Sequence, residues 1–270
     1  MRILVLGSAG FIGKPFCEHL RAQGEEVVEW DIRSKEWQDA RDGQLNSHLV
    51  DYVYFLAWDV GGSKYLENHE NDSRQLEWNT ALMFNVFTSL KVSKTPFTFI
   101  SSSLAGTDTP YGVSKRMGEM WTHALGGSVV RLYNVYGAYE PASERSHVVA
   151  DLIHQTLSSD KIIVNTTGEE SRKFTHIDDV CAGLVWARGF YSSPCIIDGE
   201  QASMKDVAEG IARFAGRVPV FFSNKPAKLM VPGNAGGRYL HPVRVPLRDG
   251  LERTVQLYKE GKNEPDNSGI

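Results

Sequence analysis

The chain has 270 residues, 41% of them hydrophobic, which suits one large domain or a domain with an appended lobe. A formal net charge of −4, with 29 Lys and Arg scattered along the sequence, supplies no basic field and argues against a nucleic-acid partner. No apolar run approaches the roughly 18 residues of a membrane span, "MRILVLG" lacks a secretory apolar region, and Cys17, Cys181 and Cys195 show no CxxC spacing. The expectation is a cytoplasmic protein with no membrane partner, disulfide framework or metal, its cysteines filling the core.

The first strand-like run, "RILVLG", passes into "GSAGFIG", which places Gly7, Gly10 and Gly13 between a strand and a helix. Their spacing suits a tight turn, a close approach of backbone to a pyrophosphate, and close helix-to-strand packing, with the helix N-terminus facing the phosphates. Phe11 and Ile12, between the second and third glycines, join them as expected cofactor contacts. The second run, "EEVVEWD", ends on Asp31, 18 residues beyond Gly13. That acid would bind a ribose diol and repel a 2′-phosphate, favouring NAD over NADP; Arg33 softens the preference, so NADP stays as the alternative.

"VDYVYFLA" is the third run, and "SRQLEWNTALMFNVFTSLKVSK" (73–94) reads as a long crossover helix before the fourth, "FTFISSS". "TPYGVSKRMGEM" (109–120) then sets Tyr111 four residues before Lys115, one helical turn apart, so that an ammonium lies near a phenol. Bringing a tyrosine from pH 10 to ~7 takes roughly 4 kcal/mol, much of which a nearby Lys and a cationic nicotinamide ring would supply. Tyr258 and Lys262 have the same spacing, so spacing alone decides nothing.

After the fifth run, "SVVRLYNV", the pattern changes. "ASERSHVVADLIHQTLSS" (142–159) reads as helix, "KIIVN" as strand, "HIDDVCAGLVWARGF" as helix, "PCIID" as strand and "SMKDVAEGIARFAG" as helix. "VPGNAGGRYLHPVRVP" marks a loop-rich stretch before a short final helix. The implied fold is α/β, a Rossmann-type doubly wound parallel sheet with a small C-terminal substrate-binding lobe. Residues 1–135 with a returning segment 176–198 would form the NAD-binding domain, and 136–175 with 199–270 the lobe.

With the glycine loop, Tyr-x-x-x-Lys and an upstream serine together, the sequence resembles the extended short-chain dehydrogenase/reductases, specifically the nucleotide-sugar epimerases and dehydratases. "YFLAWDVGG" (54–62) is similar to the family's "HLAA" segment, which puts Leu56 and Ala57 against the cofactor. "RLYNVYG" (131–137) and "RKFTHIDDV" (172–180) are similar to segments whose Asn and Arg contact the substrate. The resemblance implies that Ser103 bonds the sugar hydroxyl being oxidised, Tyr111 exchanges its proton, and Lys115 holds the nicotinamide ribose and lowers the tyrosine pKa. Asn134, His147 and Arg172 would contact the substrate. As plain residues, Asn134 suits a turn, Arg172 a surface cation, His147 a helix start, and His176 a packed or capping role. The family also implies a homodimer through helices at 72–94 and 111–125.

Two departures bear on the substrate: only seven residues separate Ser103 from Tyr111, and the C-terminal lobe is short. Leu104 and Ala105 stand where dehydratases carry Asp-Glu, and the decarboxylase glutamate is missing too; each absent group would cost roughly 10²–10⁴-fold. The expectation is an NAD-dependent nucleotide-sugar epimerase, working at C4 through a keto intermediate. The alternative is an NADPH-dependent epimerase/reductase of the GDP-fucose synthase type, whose "KVGG" and "SHVIPALIRR" segments resemble "DVGG" (59–62) and "SHVVADLIHQ" (146–155). That alternative would make His147 an acid, but the cysteine such enzymes carry after the serine is absent. A non-catalytic dinucleotide sensor is disfavoured by the presence of both Tyr111 and Lys115.

Overall fold

Alternation of β-branched runs with amphipathic helices produces a parallel sheet covered on both faces. The computed structural model describes residues 1–69, 73–159, 161–191, 193–216, 218–227 and 236–261. Strands β1 (Arg2–Leu6), β2 (Glu26–Trp30), β3 (Tyr52–Phe55), β4 (Phe97–Ser102) and β5 (Ser128–Leu132) are the five runs read from the sequence. The lobe region begins with β6 (Asn134–Tyr136), β7 (Ile162–Val164) and β8 (Ser171–His176), followed by β9 (Cys195–Ile197), β10 (Glu200–Ser203), β11 (Val220–Phe222) and β12 (Tyr239–His241). Among the described residues the main sheet has seven strands in the order β12-β9-β5-β4-β3-β1-β2, and every pairing in it is parallel.

Helices α1 (Gly13–Ala22), α2 (Ser63–Asn68), α3 (Ser73–Ser93), α4 (Pro110–Ala124), α5 (Val148–Ser158), α6 (Ile177–Trp186), α7 (Met204–Ala215) and α8 (Leu247–Gly261) complete the described elements. On one face of the sheet α1 and α6 bury Phe16, Leu20, Val180 and Leu184 with all three cysteines; on the other, α3 and α4 bury Leu82, Val86, Phe87 and Leu90 against Phe55 and Phe99. Cys17, Cys181 and Cys195 are free and buried, the core role expected of them. A third core lies between α5, α7 and α8, beside the three-stranded sheet β10-β8-β6 and the pair β7–β11.

The structure differs from the sequence reading in four places. "SVVRLYNV" breaks at Tyr133, so that β6 leaves the main sheet and pairs with β8. Residues 142–147 are not helical: Ser146 Oγ accepts from the Ser143 amide at 2.7 Å and donates to the Pro141 carbonyl at 3.0 Å, a turn that competes with a helical start. Residues 239–241, assigned to the lobe by the sequence division, instead extend the main sheet beside β9. The final helix α8 runs to 15 residues and was expected to be short. No described helix is long and apolar enough to cross a membrane.

Candidate active site

The chain reverses direction of winding at β1, which pairs with β2 on one side and β3 on the other, and a crevice opens beyond their C-terminal ends. Gly7 sits there at φ +87°, where a Cβ would lie 2.6 Å from the Ala57 nitrogen, so only glycine fits. At Gly13 a Cβ would come 2.0 Å from the Gly7 carbonyl oxygen, and the bare backbone lets α1 begin against the loop. The first turn of α1 carries no acidic residue, which leaves its N-terminus suited to an anion.

From this crevice one cavity of about 580 Å³ runs across the ends of the strands. Gly7, Gly10, Phe11, Ile12, Gly13, Asp31, Arg33, Leu56 and Ala57 all line it, as do Tyr111, Lys115, Asn134, His147 and Arg172. A dinucleotide fits this donor set: the glycine backbone for phosphates, and Asp31 for a ribose. The Asp31 carboxylate is 6% exposed, accepting from the Ala9 amide at 3.0 Å and from the Arg33 amide at 2.9 Å. The Arg33 guanidinium donates to it at 3.3 Å and hangs over Gly10, so the charge meeting a 2′-phosphate is a balanced pair and not a bare acid.

Of the expected catalytic, cofactor and substrate residues, Ser103 is the one that does not line the cavity. It is 7% exposed and opens a short 3-10 turn, Ser103–Gly106, whereas Ser102, the last residue of β4, lines the cavity with Tyr111, its Oγ accepting from the Leu104 amide at 3.1 Å. The chain turns immediately after Ser102, which carries the next side chain away. Ser102 therefore replaces Ser103 as the serine beside the phenol. Thr109 caps α4 by accepting from the Gly112 amide at 3.1 Å, and Pro110 opens the helix, which fixes Tyr111 in its first turn.

Lys115 is 4% exposed; its Nζ donates to the Ile100 carbonyl at 2.7 Å and lies 4.0 Å over the Trp58 ring. The Tyr111 ring is farther off, 5.8 Å from the same nitrogen. Burial pushes the Tyr111 phenol up to about 12, with Ser102 pulling the other way. Burial also holds the Lys115 amine well below its usual range, with the Glu119 carboxylate raising it. The expected lowering of the tyrosine pKa by Lys115 does not arise from this geometry, in which burial of the phenol dominates and the Lys115 Nζ stands 5.8 Å from its ring.

At the other end, Asn134 donates to the Lys173 carbonyl at 2.9 Å, bracing β6 against β8. Arg172 lines the cavity from β8. His147 stands at the start of α5, stacked on Phe11 with ring centroids 5.1 Å apart, and its Nδ1 meets Glu140 at 3.0 Å. His176 caps α6 by accepting from the Asp178 amide at 3.2 Å, the capping role expected of it. The control pair also resolves: Tyr258 is 1% exposed and accepts from the Glu140 amide at 2.9 Å, a core tyrosine, while Lys262 lies outside the described residues.

Sequence reasoning missed Trp58, Glu140 and the Arg145–Asp59 pair. Arg145 donates to Asp59 at 2.7 Å and to the Tyr65 hydroxyl at 2.8 Å, tying the segment after β3 to the segment before α5. Gly61 and Gly62 allow that contact, since a Cβ on Gly62 would lie 2.2 Å from the Ser146 carbonyl oxygen. Glycines at 61 and 62 were the available signal. Nothing in the sequence linked them to Arg145.

Residues 3–193 match the profile of the NAD-dependent epimerase/dehydratase family. GDP-mannose 3,5-epimerase 1 of Oryza sativa subsp. indica is 24% identical over 100% of this chain and 85% of that enzyme. The structure of UDP-glucuronic acid 4-epimerase from Bacillus cereus, in complex with UDP-glucuronic acid and NAD, is 25% identical with a TM-score of 0.77, covering 96% of this chain and 99% of that one. A GDP-L-fucose synthetase from Naegleria fowleri bound to NADP has a TM-score of 0.80 at 17% identity, covering 97% of this chain and 93% of that one.

Proposed function

The chain belongs to the NAD-dependent epimerase/dehydratase family, and from that membership we propose that it is a nucleotide-sugar epimerase that reversibly oxidises a sugar hydroxyl, at C4, through a keto intermediate. The observation that carries this reading is one cavity containing Ser102, Tyr111 and Lys115 between the glycine-loop crevice and the Asn134–Arg172 end. The dinucleotide, NAD in preference to NADP because Asp31 can accept from a ribose diol, would supply a nicotinamide ring able to take and return hydride. Ser102 orients the hydroxyl, Tyr111 accepts and returns its proton, and Lys115 holds the nicotinamide ribose. Arg172 takes the substrate phosphates. No carboxylate follows Ser102: Ser103, Leu104 and Ala105 leave water elimination without its acid and base. Support for a homodimer through α3 and α4 comes from Phe84 and Val92 on the first and Met120 on the second, all solvent-exposed. The family helix was placed at 72–94; residue 72 lies outside the described residues.

The His147–Glu140 pair favours a second reading, an epimerase/reductase that moves protons at C3 and C5, because a histidine oriented by a carboxylate in the cavity is equipped as an acid or base. The two readings separate in one experiment. With its nucleotide-hexose, the epimerase interconverts two epimers without accumulating NADH or consuming NADPH, and His147→Ala costs less than about tenfold in kcat/KM. Conversion of a 4-keto-6-deoxy sugar with oxidation of NADPH, together with a loss of several hundredfold in the mutant, rejects the first reading in favour of the second.

A further inference from the structure

Tyr111, Lys115 and Glu119 follow one another at four-residue spacing in α4 and so lie along one face. Two of them bond to consecutive residues at the end of β4: Lys115 Nζ donates to the Ile100 carbonyl at 2.7 Å and Ser101 Oγ donates to Glu119 Oε1 at 2.5 Å, while Tyr111 lines the cavity with the next residue, Ser102. Arg131, in register with Ser101 on the neighbouring strand β5, grips Glu119 with both arms, Nε to Oε1 at 2.7 Å and Nη2 to Oε2 at 2.6 Å. The two side chains are 17% and 12% exposed, well withdrawn from water, and a bidentate pair in that setting is a strong geometric constraint.

We propose that Glu119, clamped by Arg131, is a positioning residue for the Tyr111–Lys115 pair: its carboxylate, one helical turn beyond Lys115, sets the field at that buried side chain and fixes the register of α4 on the end of β4. An ammonium with one carbonyl and an aromatic face for company is poorly solvated and drifts towards the neutral amine, and a carboxylate one turn further along the helix opposes that drift. The titratable groups one helical turn to either side of Lys115 on α4 are Tyr111 and Glu119, and Arg131 from β5 is bonded to the Glu119 carboxylate. β4 contributes a carbonyl and the Phe99 ring, and the segment after β3 contributes the Trp58 ring. Arg131 sets both the position and the residual charge of Glu119, so removing either partner perturbs Lys115 with opposite sign.

The catalytic meaning of this role rests on the epimerase reading, but its effect on Lys115 is measured without substrate. Lysine carrying ¹³C at Cε, titrated by NMR in the full-length protein, reports Lys115 once Lys115→Arg has identified its resonance. Glu119→Gln keeps the shape and an acceptor for Ser101, and is expected to lower the Lys115 pKa by about one unit, the size of one charge a helical turn away at a partly buried site. Arg131→Met is expected to raise it, and Glu119→Asp to fall between wild type and Glu119→Gln. Damage that merely loosened α4 would move Lys115 in the same direction in both variants. Shifts of the same sign, or a Glu119→Gln value within about 0.3 units of wild type, overturn the proposal. Should Glu119→Gln prove unstable, the sign of the Arg131→Met shift decides alone. Failure to turn over any nucleotide-sugar would count against the epimerase reading and leave these titrations standing.

Discussion

Three adjacent serines with identical chemistry meet three different surroundings. Ser101 bonds to Glu119, Ser102 faces Tyr111 in the cavity, and Ser103 is buried in the turn that follows. Ser102→Ala is therefore expected to lower kcat about 10–100-fold with cofactor affinity little changed, and Ser103→Ala to stay within about threefold. Steady-state kinetics of the two variants check this; a larger loss from Ser103→Ala would return the role to Ser103. The Tyr111–Lys115 pair and the glycine loop were legible in the sequence because their spacing itself is the signal. The choice among the serines was not, since it depends on where β4 stops, a boundary that three identical residues do not mark. Trp58 was equally hidden: its ring packs on Phe55 and Phe99 and meets Lys115, 57 positions further on, and no local pattern joins these partners.

At the scale of elements, α4 matters most, because one helix carries Tyr111, Lys115 and Glu119. Its start is fixed by Thr109 and Pro110, and the structure places the helix over 110–124, one residue earlier at each end than the expected 111–125. Thr109→Ala removes the cap from the Gly112 amide and is expected to cost about 1 kcal/mol of stability in denaturant unfolding. Because Tyr111 lies in the uncapped turn, kcat should fall more than KM rises; an unchanged kcat would mean that packing against β4 holds the turn without its cap. α5 illustrates the opposite case. The sequence reading carries this helix back to residue 142, but hydroxyl-to-backbone bonds at Ser143 and Ser146 and the reach of Arg145 to Asp59 claim residues 142–147 for a loop. Periodicity located the helix and could not locate its first turn.

For the whole molecule, the parallel sheet and its two covered faces followed from the succession of β-α units, whereas β12 did not. Its pairing with β9 brings a three-residue strand from residues 239–241 back to the sheet edge, and so short a run carries no period. Stability against acid is also a property of the whole. Burial depresses the pKa of His176 and His241, and the His241 Nδ1 atom has no hydrogen-bond partner among the described residues. The unfolded chain binds protons at these positions near pH 6.5 and the folded chain resists them, so their contribution is present above that pH and is lost as the pH falls below it. The melting temperature should drop between about pH 7 and about pH 5, before most carboxylates titrate, and His241→Phe should flatten that limb. A melting temperature constant over that range would show that neighbouring acids compensate for the buried rings.

The three cysteines give one face of the sheet its own clock. All of them sit in the core beneath α1 and α6, with burial pushing the thiols up to about 12 for Cys17 and Cys181 and about 11 for Cys195. Alkylation needs a thiolate that a reagent can reach, and while this core stays closed the folded chain presents almost none. Modification is then paced by the breathing of that layer, while the layer under α3 and α4, which holds no cysteine, opens and closes unrecorded.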